Sequence, residues 1–526
     1  MTIPLWQAAV LAVLGMAAGA RQFQGWMYLF QLDEYLPSRL WPSARRRLAA
    51  LWRWQLAQLL VGLALVALAA VVGARLRPLP LLLAGLLPLV FFRQFRARSK
   101  LTWTSRTRRL AALAAVICLA ALLAGFASGP AGAALMGVFD LLVVLALSLA
   151  AILFRPYESA RRRRFMALAE ARLAAAAPLV VGITGSYGKT TTKMFLAQLL
   201  ERDGEPCFFT PESYNTTLGV CRAINEGFSP GQRVAVIEMG AYRPGEIAEI
   251  CSFTHPLVGI VTAIGLMHLE RFGSRGRIAQ AKAELLAALP EDGFAVMPSD
   301  IAEGDVLRRS LRARLVTVGA PGDRWWLEAE RLSAEGTAFR LRGGQGEDAW
   351  FQVPFHGRHL LTDLLCALAV ALELGRSLES LVGRAAQLKG APHRLQVSHA
   401  NGITIIDDAY NSNPTGAAEA LRVLGALPGD RRVLVTPGFI ELGPEQEQSM
   451  RELGRQAAAV CSHVILVGPR QSAAVGKGLA EAGFPQERVS VVANLAGAQL
   501  LLPKVAGRGS VVLFENDLPD SYLELA

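Results

Sequence analysis

Apolar residues follow two different patterns along this chain, and the change comes near residue 165. Before it they form long runs, at roughly 2–20, 56–74, 78–92, 109–128 and 132–154. A bilayer span needs about 20 mostly apolar residues. The runs therefore predict five membrane helices, the third short and bounded by prolines. After residue 165, short apolar runs alternate with helical ones. Residues 178–183, 234–237 and 257–262 read as buried parallel strands, each ending at polar residues. Residues 313–356 alternate residue by residue between glycine turns and predict a β-rich extension. A second series starts near 402, with strands at 403–406, 433–436, 464–467, 489–492 and 511–514. The pattern predicts an α/β protein. An all-α transmembrane bundle occupies 1–164, a doubly wound, mostly parallel central domain 165–395, and a smaller α/β domain 396–526.

Charge sharpens the first part of this picture. Residues 1–164 hold 20 Lys/Arg against 4 Asp/Glu, and the remainder 34 against 39. The net charge of +11 therefore reports arginines beside apolar runs and gives no reason to expect a nucleic-acid partner. Basic side chains crowd 21–53, 93–109 and 155–164, whereas the opposite loops carry only Arg75 and Arg77. The positive-inside rule then places the N-terminus outside and everything after residue 155 in the cytoplasm. The expected location is a bacterial-type cytoplasmic membrane, multi-pass, with inner-leaflet lipid as a partner. A four-span alternative, with 78–92 re-entrant, would put the catalytic part outside the cell. Asp140 falls inside the fifth run, where a carboxylate either carries a function or faces the outer interface or a neighbouring helix. The six cysteines show no paired or metal-ligand spacing and fit reduced, buried residues.

The densest chemical signal is Gly182-Ile-Thr-Gly-Ser-Tyr-Gly-Lys-Thr-Thr-Thr-Lys193. A buried strand runs into a turn holding Gly185 and Gly188, and a helix follows. Glycine lets the backbone wrap closely, so that N–H groups and the helix N-terminus point at an anion. Lys189 supplies a point charge for the β/γ-phosphates, and the Thr190 hydroxyl suits Mg²⁺. The spacing is the short Thr-Gly-x-x-Gly-Lys-Thr form. Further along, Glu238 ends a strand where it can hold the ion that Thr190 touches, and His268 ends another. Lys282 lies mid-helix, where by itself it reads as a solvated residue.

These runs resemble the Mur ligase family of ATP-dependent amide-bond-forming enzymes, nearest its D-alanyl-D-alanine-adding branch. The resemblance covers roughly 178–526. It rests on Thr184–Lys193, Ser213–Gly219, Glu238–Glu246, Ile264–His268, Lys282, Gly357–His359, His393-Arg394, Asp407–Pro414 and Glu441–Gly443, in that order. It implies a phosphate-loop ATPase domain followed by a Rossmann-like domain. It further implies ATP contacts from Gly185, Ser186, Gly188, Lys189, Thr190, Thr191, His359, Arg394, Asp408, Tyr410 and Asn411. Metal would be held by Thr190, Glu238, His268 and a carbamylated Lys282, with two Mg²⁺ sites. Asn215 and Thr216 would meet the substrate. Lys189, Lys282 and His268 would carry the catalysis, in which a substrate carboxylate becomes an acyl phosphate and is attacked by an amine.

Three departures bear on the substrate. About twenty residues separate the last apolar run from the phosphate loop, which leaves no room there for the family's UDP-gripping domain. Leu360, Asp363 and Pro298 stand where the family has asparagine. The acidic run 514–520 replaces a basic Lys-Gly-Ser-Arg-like segment. The expectation is a membrane-anchored ligase that adds an amino acid or dipeptide to a cell-envelope precursor, lipid-linked or polymeric. The alternative is addition of D-alanyl-D-alanine to UDP-N-acetylmuramoyl-tripeptide. A non-catalytic nucleotide-binding scaffold and a transporter are the other classes. The retained Lys189, Thr190, Glu238, His268 and Lys282 argue against the scaffold. The apolar runs, with few polar residues beyond Asp140, argue against the transporter.

Overall fold

The computed structural model describes residues 5–33, 35–45, 64, 101–127, 139–201, 206–211, 214–265, 269–333, 336–390, 393–409, 413–440 and 442–515. They form two compact units, one within 1–161 and one within 162–524.

The first unit contains helices α1 (Leu5–Leu32) and α2 (Ser105–Ala127) and the first part of α3 (Phe139–Ala176). Its core gathers Trp26, Phe30, Leu40, Val143 and Leu147, all fully buried. Asp140 faces α1: Gln22 Nε2 and Trp26 Nε1 each donate to its Oδ1 at 2.6 Å. Two donors on one oxygen satisfy a carboxylate that is otherwise costly to bury. The five-helix membrane bundle is not supported. Among the described residues one helix, Asp140–Ala176, is long and apolar enough to cross a bilayer. The runs at 56–74 and 78–92 lie outside the described residues, apart from residue 64, and those at 2–20 and 109–128 coincide with α1 and α2. The apolar stretch of α3 gives way to Arg155 and Arg161–Arg164, so the same helix passes into a charged segment.

The second unit is built on two sheets. The larger has the order β2-β3-β1-β4-β5-β6-β7-β8-β9. In sequence these are β1 (Leu179–Thr184), β2 (Phe208–Phe209), β3 (Val234–Glu238), β4 (Val258–Val261), β5 (Phe294–Pro298), β6 (Arg314–Gly319), β7 (Trp325–Ser333), β8 (Gly336–Gly343) and β9 (Asp348–Val353). The first six are parallel, β7 joins β6 in parallel, and β7–β9 pair antiparallel within the β-rich extension expected at 313–356. β1 is central, with Ile183 opposite Glu238 on one side and Ile260 on the other. A strand buried on both faces needs a continuous apolar run, and Leu-Val-Val-Gly-Ile-Thr supplies it.

The smaller sheet has the order β10-β11-β15-β12-β13-β14. Its strands are β10 (Gln396–Ala400), β11 (Ile403–Asp408), β12 (Arg431–Thr436), β13 (His463–Val467), β14 (Val489–Val492) and β15 (Ser510–Glu515). All pairs are parallel except β10–β11. The five strands expected after residue 402 are all present. β10 escaped the sequence reading because Gln-Val-Ser-His-Ala is an exposed edge strand without an apolar face.

Five helices place the site. These are α4 (Lys189–Leu200), α5 (Thr217–Gly227), α6 (Arg275–Ala287), α7 (Arg358–Glu373) and α8 (Pro414–Ala426). Helix α7 is apolar almost throughout and packs on α4 inside the main core. Helix α8 starts in the way its sequence dictates: Asn413 Oδ1 accepts from Gly416 N at 3.0 Å, and proline takes the first turn. The end of α3 joins this unit, with Ala169 and Leu173 buried against Val220 and Ile224 of α5. Arg162 ties α3 to Thr217 and Glu249, and Asn225 Nδ2 donates to the Phe165 carbonyl at 3.2 Å.

Candidate active site

The phosphate loop crosses the carboxyl end of β1, where open parallel sheets place their ligands. Gly185 and Gly188 have φ of 151° and 81°. At Gly188 the geometry forbids a side chain twice over: the backbone is left-handed, and a Cβ would lie 2.1 Å from Asp363 Oδ1. Helix α4 begins at the next residue, so its unpaired N–H groups face the loop's concavity. Lys189 folds back over the loop, Nζ donating to the carbonyls of Gly185 (2.7 Å) and Ser186 (3.3 Å). The loop is itself braced from the segment after β4: Ser186 N donates to Ala263 O at 2.8 Å, and Gly265 N donates to Ser186 Oγ at 2.9 Å. Burial holds the Lys189 ammonium below its ordinary range, with Glu238 opposing that drop.

On one side of Lys189 lies the end of β3. Glu238 Oε2 accepts from Thr190 Oγ1 at 3.0 Å and from Lys193 Nζ at 2.9 Å, while Oε1 accepts from Asn215 Nδ2 at 2.9 Å. Burial pushes this carboxyl up, but Lys193 and Lys189 outweigh it and hold it below its usual value. A small cavity of about 40 Å³ opens beside it, lined by Ser186, Lys189, Asn215, Tyr242 and Lys282. Lys282 is 3% exposed, so it is no solvated helix residue. Burial, then Lys189, lowers its pKa to about 7. Its helix is set by Ser274, whose Oγ caps Arg277 N at 3.3 Å.

On the other side is a cavity of about 610 Å³, reaching from Tyr187 and Gly188 to His359, Asp363, Arg394 and Asp408. Burial lowers the pKa of His359 to about 4, so the imidazole is neutral at pH 7. Burial raises Asp408 to about 6, even though Leu395 N donates to its Oδ1 at 2.9 Å. His393 Nδ1 meets Asp407 Oδ2 at 2.7 Å. The larger cavity has the size of a nucleotide site, and Arg358, Arg394 and Arg422 are among its lining.

Asp363 also lines this cavity. Burial raises its pKa to about 7, against the pull of Arg394. A folded pKa above the unfolded value of about 3.9 makes the ionised acid a destabilising group. Its stability cost is absent below pH 4 and grows as pH rises towards 7. Asp363→Asn is therefore expected to raise the thermal midpoint above pH 7 and leave it unchanged below pH 4, as thermal scans across pH would show.

The fold thus gathers Gly185, Ser186, Lys189, Thr190, Asn215, Glu238 and Lys282 on one side, and Gly188, Thr191, His359, Arg394 and Asp408 on the other. Thr216 Oγ1 caps α5, accepting from Gly219 N at 3.3 Å. His268, Tyr410 and Asn411 lie outside the described residues. Lys193 was not singled out by sequence. Its only signal there was a lysine one turn past Thr190 on a helix whose neighbours are apolar.

Do these groups fit Mg²⁺? An ionised buried carboxylate beside a threonine hydroxyl is a hard-oxygen pair of the kind Mg²⁺ takes alongside substrate phosphates.

Residues 183–371 match the Mur ligase middle domain, and residues 393–515 match the Mur ligase glutamate ligase domain. A UDP-N-acetylmuramoyl-tripeptide–D-alanyl-D-alanine ligase of Mycobacterium bovis is 34% identical over 374 residues, 65% of this chain and 71% of the relative. The chain belongs to the Mur ligase family. The Escherichia coli enzyme of the same name is 33% identical over 299 residues, which are 56% of this chain and 65% of that protein. The crystal structure of MurF from Acinetobacter baumannii superposes with a TM-score of 0.62 at 29% identity, covering 69% of this chain and 79% of the other. MurF from Thermotoga maritima, solved in complex with ADP, gives 0.61 at 26%, covering 69% and 82%. This Mur ligase family member is thus an enzyme of the carboxylate–amine ligase class, and its two sheets are the family's middle and C-terminal folds.

Proposed function

We propose that this chain uses MgATP to join D-alanyl-D-alanine to the terminal carboxylate of UDP-N-acetylmuramoyl-tripeptide. The reading is supported most by one arrangement: Lys189 and the Thr190–Glu238–Asn215 cluster between a nucleotide-sized cavity and a smaller one holding Lys282. The relatives, named as D-alanyl-D-alanine ligases, favour this substrate over the lipid-linked or polymeric carboxylate expected from the sequence. The central domain is taken as 165–395 and the C-terminal domain as 396–526.

In this mechanism the loop N–H groups and the N-terminus of α4 bind the phosphates of ATP. Lys189 leaves the loop carbonyls and sits against the transferring γ-phosphoryl group, where charge spreads in the transition state. Thr190 and Glu238 would hold one Mg²⁺, and carbamylated Lys282 with His268 a second. Bound there, the ions neutralise charge on the phosphoryl oxygens. The substrate carboxylate attacks the γ-phosphorus, giving an acyl phosphate and ADP. The amine then attacks the acyl carbon, loses a proton, and expels phosphate. Arg394, Asp408, Tyr410 and Asn411 close the nucleotide side, and His359, neutral at pH 7, meets it without adding charge. Asn215 meets the substrate beside Glu238.

Residues 1–164 are taken to hold the enzyme at the cytoplasmic membrane, with the second unit on the cytoplasmic side. The apolar window of α3 and the arginines that follow it support this. Recovery of the chain in the carbonate-washed membrane fraction is the expected result.

The deciding experiment is phosphate release from MgATP by the full-length chain. Release that requires both UDP-N-acetylmuramoyl-tripeptide and D-alanyl-D-alanine is expected. Release only with lipid-linked muramoyl peptides or glutamate oligomers would overturn the substrate assignment. No release with any carboxylate and amine would return the scaffold reading.

A further inference from the structure

Lys193 and Glu238, 2.9 Å apart, are each 1% exposed, a fully buried ion pair. A carboxylate this deep keeps its charge only beside a cation or strong donors. Lys193 stands three residues past Thr190 on α4, so one helix face delivers both to Glu238. Both meet the same oxygen, Oε2, at 2.9 and 3.0 Å, while Asn215 holds Oε1. The carboxylate is thereby fixed at both oxygens, and the pair carries no net charge. Thr210 Oγ1 accepts from Glu238 N at 3.1 Å and secures the backbone beneath it.

We propose that Lys193 is a resident counter-cation for the metal-facing carboxylate, a positioning residue that preforms the site and keeps free divalent cations out of it. The proposal rests on the assignment of Glu238 to metal. With Lys193 in place, Glu238 offers a divalent ion oriented oxygens but no net negative charge. A bare ion then gains little by leaving water. An ion already bound to nucleotide brings phosphate charge with it, and the preformed oxygens complete its shell. Lys193 thus couples metal entry to nucleotide entry. It does so without touching the reacting atoms.

The test is Mn²⁺ binding to the full-length chain at pH 8, read from the electron paramagnetic resonance of free Mn²⁺, without nucleotide and with ADP. Lys193→Met removes the charge and keeps the apolar stem. It is expected to tighten binding of Mn²⁺ alone by about tenfold or more, because a unit charge a few ångströms away is removed from a buried site. The change with ADP present is expected to be smaller. Lys193→Arg should stay within about threefold of the native chain, since the charge is kept. Should Lys193→Met fail to fold, Lys193→Gln keeps a donor for Oε2 without the charge and carries the same expectation. Equal or weaker binding of Mn²⁺ alone by the neutral variant would overturn the proposal and leave Lys193 a structural ion-pair partner. Glu238→Gln separates the two levels. If, with ADP present, it binds Mn²⁺ as the native chain does, the metal assignment itself is wrong. If it binds weakly while Lys193→Met is unchanged, only the role of Lys193 falls.

Discussion

Replacing Lys189 by alanine is expected to reduce ATP turnover by on the order of 10³-fold, the loss typical of removing a preorganised donor to developing transition-state charge. The ammonium sits 2.7 Å from the Gly185 carbonyl, inside the turn that is to receive the phosphates. Glu238 opposes the cost of its burial but does not cancel it, and the ammonium stays below its ordinary range. A shorter side chain leaves the loop intact, because its bracing comes from Ser186, Ala263 and Gly265. Nucleotide binding should therefore fall much less than turnover. Single-turnover phosphate release together with an ADP titration checks both halves. Turnover within tenfold of the native chain would remove Lys189 from the chemistry and undo the site as drawn.

Lys282→Ala is expected to cost on the order of 10²-fold in activity, of the size seen when one charged element of a preorganised site is lost. Part of it should return with millimolar acetate or propionate, which restores a carboxylate to the space. The reason lies in the unusual state of this amine. An ordinary lysine titrates near 10.4 and is almost wholly protonated at pH 7. Burial brings Lys282 to about 7, so about half is neutral there and can add to CO₂. The sign follows directly: the nucleophilic fraction rises as pH climbs through 7 and is lost below it. Activity of the native chain in CO₂-depleted buffer should fall, most steeply below pH 7, and recover with bicarbonate. Absence of both rescue and CO₂ dependence would leave Lys282 as a plain cation facing the smaller cavity.

The same depressed pKa affects stability. Between about pH 7 and 10.4 the unfolded chain holds a proton on this lysine that the folded chain has lost, so folding is favoured more as pH rises across that window. Below pH 7 both states are protonated and the full cost of burying the ammonium is present. Carbamylation would replace that cost by a negative group facing Lys189.

Much of this molecule could be read from local pattern. The run into Gly185, Gly188 and Lys189 specified a strand, a left-handed turn and a helix, because each step depends only on apolar continuity and on what glycine permits. The strands after residue 402 and the β-rich extension followed from the same periodicities, and the ordered motifs were enough to place the chain in its family. The expected bundle of five membrane helices is the counterexample. Apolar length measures whether a segment could span a bilayer, not how many do, and among the described residues the structure supports one such helix.

What the tertiary structure alone decided is which polar groups meet. Lys193 and Glu238 are 45 residues apart. Their pairing depends on how α4 rotates over β3, which neither segment encodes. Lys282 looked solvated until α6 turned it inward, where the lack of water set its pKa. Asp363 read as a substitution at the nucleotide side, yet it lies against the missing side chain of Gly188. Periodicity reports the buried face of each element. Charge, pKa and metal geometry arise where the ends of different elements converge, so the sequence by itself determined the scaffold and the family, and packing determined the chemistry of the site.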